Sequence, residues 1–513
     1  MLTRRTFIAG ATAVTAAPAF AAARRPIVQT SLGRVRGTRE GAVSVFRGIR
    51  YGTAERFRAP AAPPRARGIV DAAAFGPSAP QRGDRYAPTS EECLTLNIWT
   101  PEARPGARLP VMVYFHGGAY SSGSVADPLN DGRHLAAAEN VVVVTVNHRL
   151  NAFGYLYLAR IDPRFADSGN AGQLDLILAL QWIRDNIAGF GGDPTSVMLF
   201  GQSGGGAKIA TLMGTRAAHG LFRSAATMSG QQVTASGPIN ATARARAFMT
   251  AVGAGTAADL LATPVERLIE GLAAPDPIIA GSVYFGPVLD MRWLDRHPFW
   301  PIANPLSNHI PLILGNTRDE TRAFIDPDSE RVRTLDWSNL AERMAPELRM
   351  DLSPEWIVER YRERHPDWSP ERIFYAATTA GRSWPGQVLE AEARARASTL
   401  TWVYQLDFQS PTHPRRGAPH TMDIALVFGT LDAPGSYTGT GTAARRLSAL
   451  MMKCFAGLAR DRNPNAPGTP PWETYRIEDR QTMIFDVESR QQSDPRGWER
   501  ELFARVPYIQ PGT

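Results

Sequence analysis

The stretch FGQSGGGAK, Phe200–Lys208, packs four glycines, a serine and a lysine into nine residues. Two chemistries use such a stretch: a cradle for phosphate, or a sharp turn that presents a nucleophilic serine. The phosphate cradle follows G-x-x-x-x-G-K-[ST], in which the lysine reaches the phosphates and the hydroxyl binds Mg²⁺. Gly201 and Gly206 have the right separation, but Ala207 occupies the lysine place, Lys208 comes one residue late, and Ile209 stands where the hydroxyl belongs. The serine turn follows G-x-S-x-G between a strand and a helix. Gly201-Gln202-Ser203-Gly204-Gly205 fits it. Side chains two residues either side of Ser203 would clash across such a turn, which accounts for glycine at 201 and 205. The helix that starts there directs backbone N–H groups and its positive end at a developing oxyanion. A pentapeptide alone also arises by chance in glycine-rich loops, so its surroundings decide.

Those surroundings alternate. LPVMVYF (109–115), NVVVVTVN (140–147) and SVMLF (196–200) are continuous apolar runs, as expected of strands buried on both faces in a mostly parallel sheet. Between them lies GQLDLILALQWIRDNIAGFGG, where Leu174, Ile177, Leu178 and Trp182 recur at helical spacing and glycines follow. GAKIATLMGT reads as the helix after the serine turn. CLTLNIWTP, starting at Cys93, reads as a strand with period-two alternation. HIPLILGNTRDET and TLTWVYQLDF add two more strands, each ending in a loop. Strand, helix, strand, glycine turn, helix is the order of an α/β sheet with crossover helices. Residues about 241–274 and 337–397 read as helical insertions in one large domain, not as separable units.

A nucleophilic serine needs an oxyanion site, a base and an acid. The loop YFHGGAYSSG follows the strand 109–115, and a turn of this type supplies backbone donors: Gly118 and Ala119, with Gly204 after the nucleophile. His116 precedes the serine, whereas in such folds the order is Ser, acid, His, so it reads as a residue shaping the turn. One carboxylate pair, Asp319 and Glu320, follows an apolar strand directly. Spacing alone does not choose between them. Among the later histidines, His365 sits in a charged helix and His413 between prolines, while His219, His297 and His309 precede the acid. His420 follows a strand by one loop and opens a short helix.

The totals set limits. The chain has 513 residues, 43% of them hydrophobic, enough for a large core. Residues 1–23 read as a twin-arginine export signal, with Arg4 and Arg5, a weak apolar run, and small residues ending at Ala19–Ala21 or Ala21–Ala23. That run is too short and too rich in Ala, Thr and Gly to span ~30 Å of hydrocarbon, and no later segment qualifies. The expected product is soluble and exported, periplasmic or secreted. Net charge is +7, and the leader holds two arginines and no acid. Of 56 basic residues only Lys208 and Lys453 are lysine. The arginines are scattered among acids, with no basic stripe interleaved with aromatics, so no nucleic-acid partner is indicated. No Cys/His cluster has zinc spacing, so no metal is expected. Export would permit a Cys93–Cys454 disulfide, but neither cysteine has a local partner, and the sequence favours leaving the two unbonded.

With these parts assembled, the sequence resembles the type-B carboxylesterases of the α/β-hydrolase fold, the family of bacterial para-nitrobenzyl esterases and cholinesterases. The likeness runs through FRGIRYGTAERFRAP, SEECLTLNIWTP, YFHGGAY, VVVVTVNHRLNAFGYL, FGQSGGG, GNTRDE, HTMDIALVFG and QTMIFDVESR. It implies Ser203 as nucleophile, Glu320 as acid, His420 as base, and Gly118, Ala119 and Gly204 as oxyanion donors, acting on a small ester with no cofactor. It is the resemblance that selects Glu320 over Asp319. The chain departs from the family pattern in places. Gln202 and Gly204 stand where glutamate and alanine are common, and Ser78 stands where a cysteine usually pairs with the Cys93 position. The 78–93 loop also lacks the tryptophan with which cholinesterases meet a quaternary ammonium, which argues against that activity. Replacing a charged neighbour by Gln202 should leave the base available at mildly acidic pH and give little preference for cationic substrates. Other readings on the same fold are a specialised hydrolase of a lactone, carbamate or polyester, or a non-catalytic binding protein.

Overall fold

The computed structural model describes residues 25–397, 399–510 and 512, so the expected export signal lies outside the described residues. The strands, in chain order, are β1 (Ile27–Thr30), β2 (Gly33–Arg36), β3 (Thr38–Glu40), β4 (Val43–Arg50), β5 (Ile69–Asp71), β6 (Thr95–Thr100), β7 (Leu109–Phe115), β8 (Val142–Val146), β9 (Gly192–Gln202), β10 (Ser224–Met228), β11 (Leu312–Thr317), β12 (Thr401–Leu406), β13 (Gln481–Phe485) and β14 (Arg490–Ser493). Strands β1, β2 and β5 form a small sheet; the other eleven form one large sheet in the order β14-β13-β12-β11-β10-β9-β7-β8-β6-β4-β3. From β8 through β7, β9, β10, β11 and β12 to β13 every neighbour is parallel. The edges, β6-β4-β3 and β14, join antiparallel. This is the α/β-hydrolase architecture.

The apolar runs explain the parallel centre. Parallel strands need crossovers, and crossover helices cover both faces of a sheet. Val111, Val113, Val144, Val146, Leu199 and Leu314 face one core. Their neighbours Met112, Tyr114, Val143, Met198, Phe200 and Ile313 face a second core on the other side. Strand β6 shows a limit of pattern reading. Its period-two alternation marks no solvent face, because all six residues are buried. The polar member Asn97 is paired instead, donating to Thr145 Oγ1 at 2.9 Å and accepting from the Gly48 N–H at 2.9 Å.

The helices Pro238–Val252, Ala257–Ala262 and Val265–Gly271 fill the first expected insertion, and Leu340–Met344, Pro354–Arg364, Pro370–Thr378 and Pro385–Arg396 lie in the second. Each group packs a small core of its own, around Phe248 and around Tyr361 respectively. Cys93 and Cys454 are both free and buried, in cores on opposite faces of the sheet. The loop after Ser78 is tied by backbone bonds, Ser78 N–H to Pro88 O at 3.0 Å and Ser90 N–H to Ser78 O at 2.9 Å. Among the described residues no helix is long and apolar enough to cross a membrane.

Candidate active site

Four loops leave the carboxyl ends of parallel strands: those after β7, β9, β11 and β12. They converge on a cavity of about 750 Å³ whose walls include Gly118, Ala119, Ser203, Gly204, Glu320 and His420. In open α/β sheets the crevice beyond the strand carboxyl ends is the usual ligand site.

Strand β9 ends at Gln202, and the helix Gly204–Met213 begins two residues later. Ser203 alone makes the turn, at φ +54° and ψ −124°, a conformation that costs a non-glycine residue energy and persists only when its surroundings enforce it. The glycines are needed because backbone crowds the turn. A Cβ on Gly205 would lie 1.9 Å from the Phe115 carbonyl oxygen, and one on Gly201 would lie 2.6 Å from the Gly205 carbonyl carbon. Gly204 is equally constrained: its Cβ would lie 2.0 Å from the Ala119 carbonyl oxygen.

Gly118 and Ala119 turn with φ of +86° and +52°. The Gly118 carbonyl accepts from the Ser121 and Ser122 N–H groups, at 3.0 Å each. Among the described residues no acceptor meets the N–H of Gly118, Ala119 or Gly204. Behind this loop sits Lys208, fully buried. Its Nζ donates to Ala119 O at 2.9 Å and His116 O at 3.2 Å, and lies 5.5 Å from the centre of the Tyr120 ring. Among the described residues no carboxylate pairs with it, and burial pushes its pKa down to about 7. His116 stacks on His148 at 4.6 Å between ring centres. Burial, with the nearby Lys208 charge, lowers the His116 pKa to about 3, so it is a neutral part of the turn.

His420 Nδ1 is hydrogen-bonded to Glu320 Oε2. The other carboxylate oxygen, Oε1, accepts from Ser229 Oγ at 2.5 Å, Thr317 N–H at 2.8 Å and Asn316 Nδ2 at 3.1 Å. Burial works against the Glu320 charge. The facing His420 and the bonds from His420, Ser229 and Thr317 outweigh it and hold the carboxyl below its usual range. Asp319 points elsewhere: its Oδ2 accepts from the Ala418 N–H at 3.0 Å, which ties down the loop that carries His420. His420 Nε2 lies 3.1 Å from Gln202 Nε2. With Nδ1–H donated to Glu320, Nε2 is the acceptor and the Gln202 amide the donor. Ser203 Oγ has no hydrogen bond among the described residues, so the serine shares the cavity with His420 without yet bonding to it. Such bonds often tighten only when substrate is in place.

Residues 24–501 match the family model described as the carboxylesterase family, and the chain belongs to that family. It is similar to the para-nitrobenzyl esterase of Bacillus subtilis (strain 168), 33% identical over 507 residues that cover 93% of this chain and 98% of the relative. Among solved structures it resembles a carboxylesterase of Geobacillus stearothermophilus, at 32% identity and a TM-score of 0.82, covering 93% of this chain and all of that one. An esterase from Clostridium hathewayi that can hydrolyze aliphatic aromatic polyesters aligns with a TM-score of 0.79 at 30% identity, covering 94% and 98% of the two chains.

Several contributors escaped sequence reading. Ser229 and Asn316 orient Glu320, although each lies at a strand end and could have been noticed there. Lys208 entered only as a misplaced phosphate-loop lysine. Asp423 accepts from Tyr404 Oη at 2.8 Å, and burial raises it to about 6. Nothing in its sequence neighbourhood signals burial of a carboxyl beside the His420–Glu320 pair.

Proposed function

We propose that this carboxylesterase-family chain hydrolyses carboxylic esters through an acyl-enzyme on Ser203, with His420 as general base and acid and Glu320 as its partner. The observation that supports this most is the cavity itself. A strained serine shares it with three N–H groups that have no acceptor among the described residues, beside an imidazole held from behind by an ionised carboxylate. Ser203 Oγ attacks the ester carbonyl carbon and its proton passes to His420 Nε2, which first releases the Gln202 amide. Glu320 keeps Nδ1–H in place and stabilises the imidazolium. The N–H groups of Gly118, Ala119 and Gly204 receive the oxyanion, each removal costing on the order of 3 kcal/mol. The C–O bond to the alcohol breaks as His420 protonates the departing oxygen. Water then gives a proton to His420 and attacks the acyl carbon; the bond from that carbon to Ser203 Oγ breaks as His420 returns the proton to Oγ, releasing the acid and restoring the serine.

A fluorophosphonate should leave one adduct, on Ser203, with Ser121, Ser122 and Ser229 unlabelled in the peptide map. Ser203→Ala should stay folded and lose the burst of p-nitrophenol from a p-nitrophenyl ester. Full turnover in that variant would reject the assignment, and no burst in the parent would favour a non-catalytic binding protein. The likeness to a polyester-hydrolysing esterase makes an aliphatic aromatic polyester film a worthwhile second substrate. The paired arginines Arg4 and Arg5 support export, and replacing both by lysine should leave the chain inside the cell with its leader uncleaved.

A further inference from the structure

Besides the His420–Glu320 pair, the charged side chains that line the cavity among the described residues are Arg82, Arg85, Arg382 and Asp127. Asp127 is already engaged: its Oδ2 accepts from Arg85 at 3.0 Å and from Tyr86 Oη at 2.8 Å. Arg82 is exposed and makes no hydrogen bond or ion pair among the described residues. Arg382 sits on the short helical turn Thr379–Ser383 of the second insertion. Among the described residues only its Nη1 is hydrogen-bonded, to Glu347 at 2.6 Å, and Glu347 also serves Arg331 at 2.9 Å. One carboxylate therefore answers two guanidinium groups, and Nε and Nη2 of Arg382 have no hydrogen-bond partner among the described residues. Burial, then the charge of neighbouring Arg349, lowers the pKa of Arg382, while Glu347 works the other way.

Arg382 also lies close to the reacting groups. Its guanidinium is 5.0 Å from the centre of the Phe324 ring, and that ring is 4.8 Å from the imidazole of His420. The rest of the wall is rich in amides and phenols, among them Gln81, Gln231, Gln232, Tyr284 and Tyr508. Aliphatic side chains larger than alanine are few, Leu129 and Ile424. A cavity built for plain aliphatic esters gains by lining itself with such groups. The amides of Gln81 and Gln232 already donate to backbone carbonyls, so the groups this wall leaves open to an anion are the two unbonded nitrogens of Arg382 and the Arg82 side chain, and a guanidinium with free N–H groups suits a carboxylate.

Resting on the ester-hydrolase reading, we infer that the preferred substrates are esters that carry a free carboxylate, read by Arg382 with Arg82 at the mouth of the cavity. The carboxylate can belong to the acyl half or the alcohol half, and two substrate pairs tell these apart. The first pair is mono-p-nitrophenyl adipate and its methyl-capped counterpart, followed by p-nitrophenol release. The second is 4-carboxyphenyl acetate and 4-(methoxycarbonyl)phenyl acetate, followed by phenol release. In one pair the carboxylate form should have at least about tenfold higher kcat/KM, mainly through KM, with the advantage shrinking as salt is added. Arg382→Gln should erase most of that ratio. Arg382→Lys, which keeps the charge and loses the fork, should retain part of it. Arg82→Gln, at an exposed side chain that leaves the fold alone, should reduce the ratio by a smaller factor. Equal or lower rates for the carboxylate forms in both pairs would overturn the inference while leaving ester hydrolysis intact, as would a ratio unchanged in all three variants. If p-nitrophenyl acetate itself is not turned over, the ester-hydrolase reading fails and this inference with it.

Discussion

Replacing Gln202 by glutamate should move the acidic limb of kcat/KM upward by about one to two pH units. In the structure the Gln202 amide, 1% exposed, donates to His420 Nε2 from 3.1 Å, an interaction available only to the neutral imidazole. A glutamate of the same reach cannot donate there, but it can accept from the imidazolium. Two unit charges about 4 Å apart attract by about 4 kcal/mol at an effective dielectric constant near 20, and about 1 kcal/mol in water. At about 1.4 kcal/mol per pH unit, that brackets a rise of roughly one to three units. The cost of burying the new carboxylate, and its repulsion from Glu320 and Asp423, trims the upper end. The sign follows from the base: substrate attack needs neutral imidazole, so favouring the protonated form moves the loss of activity to higher pH. The assay is kcat/KM for p-nitrophenyl acetate from about pH 4.5 to 9, with circular dichroism confirming the fold at each end. Gln202→Leu, which removes the donor without adding charge, should shift the limb by less. The glutamate variant should also gain preference for a quaternary ammonium ester over its uncharged carbon isostere. An unmoved limb with unchanged charge preference, in a folded variant, would refute the idea that position 202 senses the catalytic charge.

Other expectations follow from the same geometry. Glu320→Gln should lower kcat by orders of magnitude, because the imidazolium loses its partner; Asp319→Asn, which weakens the tie to Ala418 and the ion pair with Arg322 but leaves the His420–Glu320 pair alone, should be much milder, and the reverse ranking would show that the wrong carboxylate has been chosen. Gly204→Ala should cost about 10²–10³ in kcat, because the new Cβ would strike the Ala119 carbonyl 2.0 Å away and displace an oxyanion donor; near-parental kcat would mean that the Ala119 donor is dispensable. Lys208→Met concerns stability. Lys208 titrates at about 7 when folded against 10.5 as its ordinary value. Between those pH values the unfolded chain holds the extra proton, so this group makes stability rise with pH across that window and penalises the fold below it. Urea midpoints at pH 6, 8 and 10 should therefore rise less steeply in the methionine variant than in the parent, and parallel slopes would count against a buried, proton-shedding lysine.

How much of this could be read in the chain depends on whether the cause is local. The serine turn was legible because its demands are short-range: a strand, a strained residue and glycines that clear the way sit within nine residues. The parallel sheet was legible because strands covered on both faces must be almost wholly apolar, as β7 is and as β8 is but for Thr145. The order of serine, carboxylate and histidine followed from the loops after β9, β11 and β12. The leader, too, is a local pattern of paired arginines and small residues, and export remains a proposal resting on that pattern.

Elsewhere only the tertiary structure decided, because the partners lie far apart along the chain. The alternation in β6 looked the same whether its polar side chains met water or Thr145. The choice between Asp319 and Glu320 needed the family pattern at the level of sequence. In the folded chain Glu320 faces His420, one hundred residues further on, while Asp319 holds the Ala418 N–H. Lys208 looked like a failed phosphate ligand until folding set its amine against the carbonyls of a loop some ninety residues earlier. Gly204 looked like a departure from relatives until the same Ala119 carbonyl was found in the space a methyl group would need. Spacing can say that a residue is present and on which strand end. Whether it faces a charge, a carbonyl or an open cavity is a matter of packing in three dimensions.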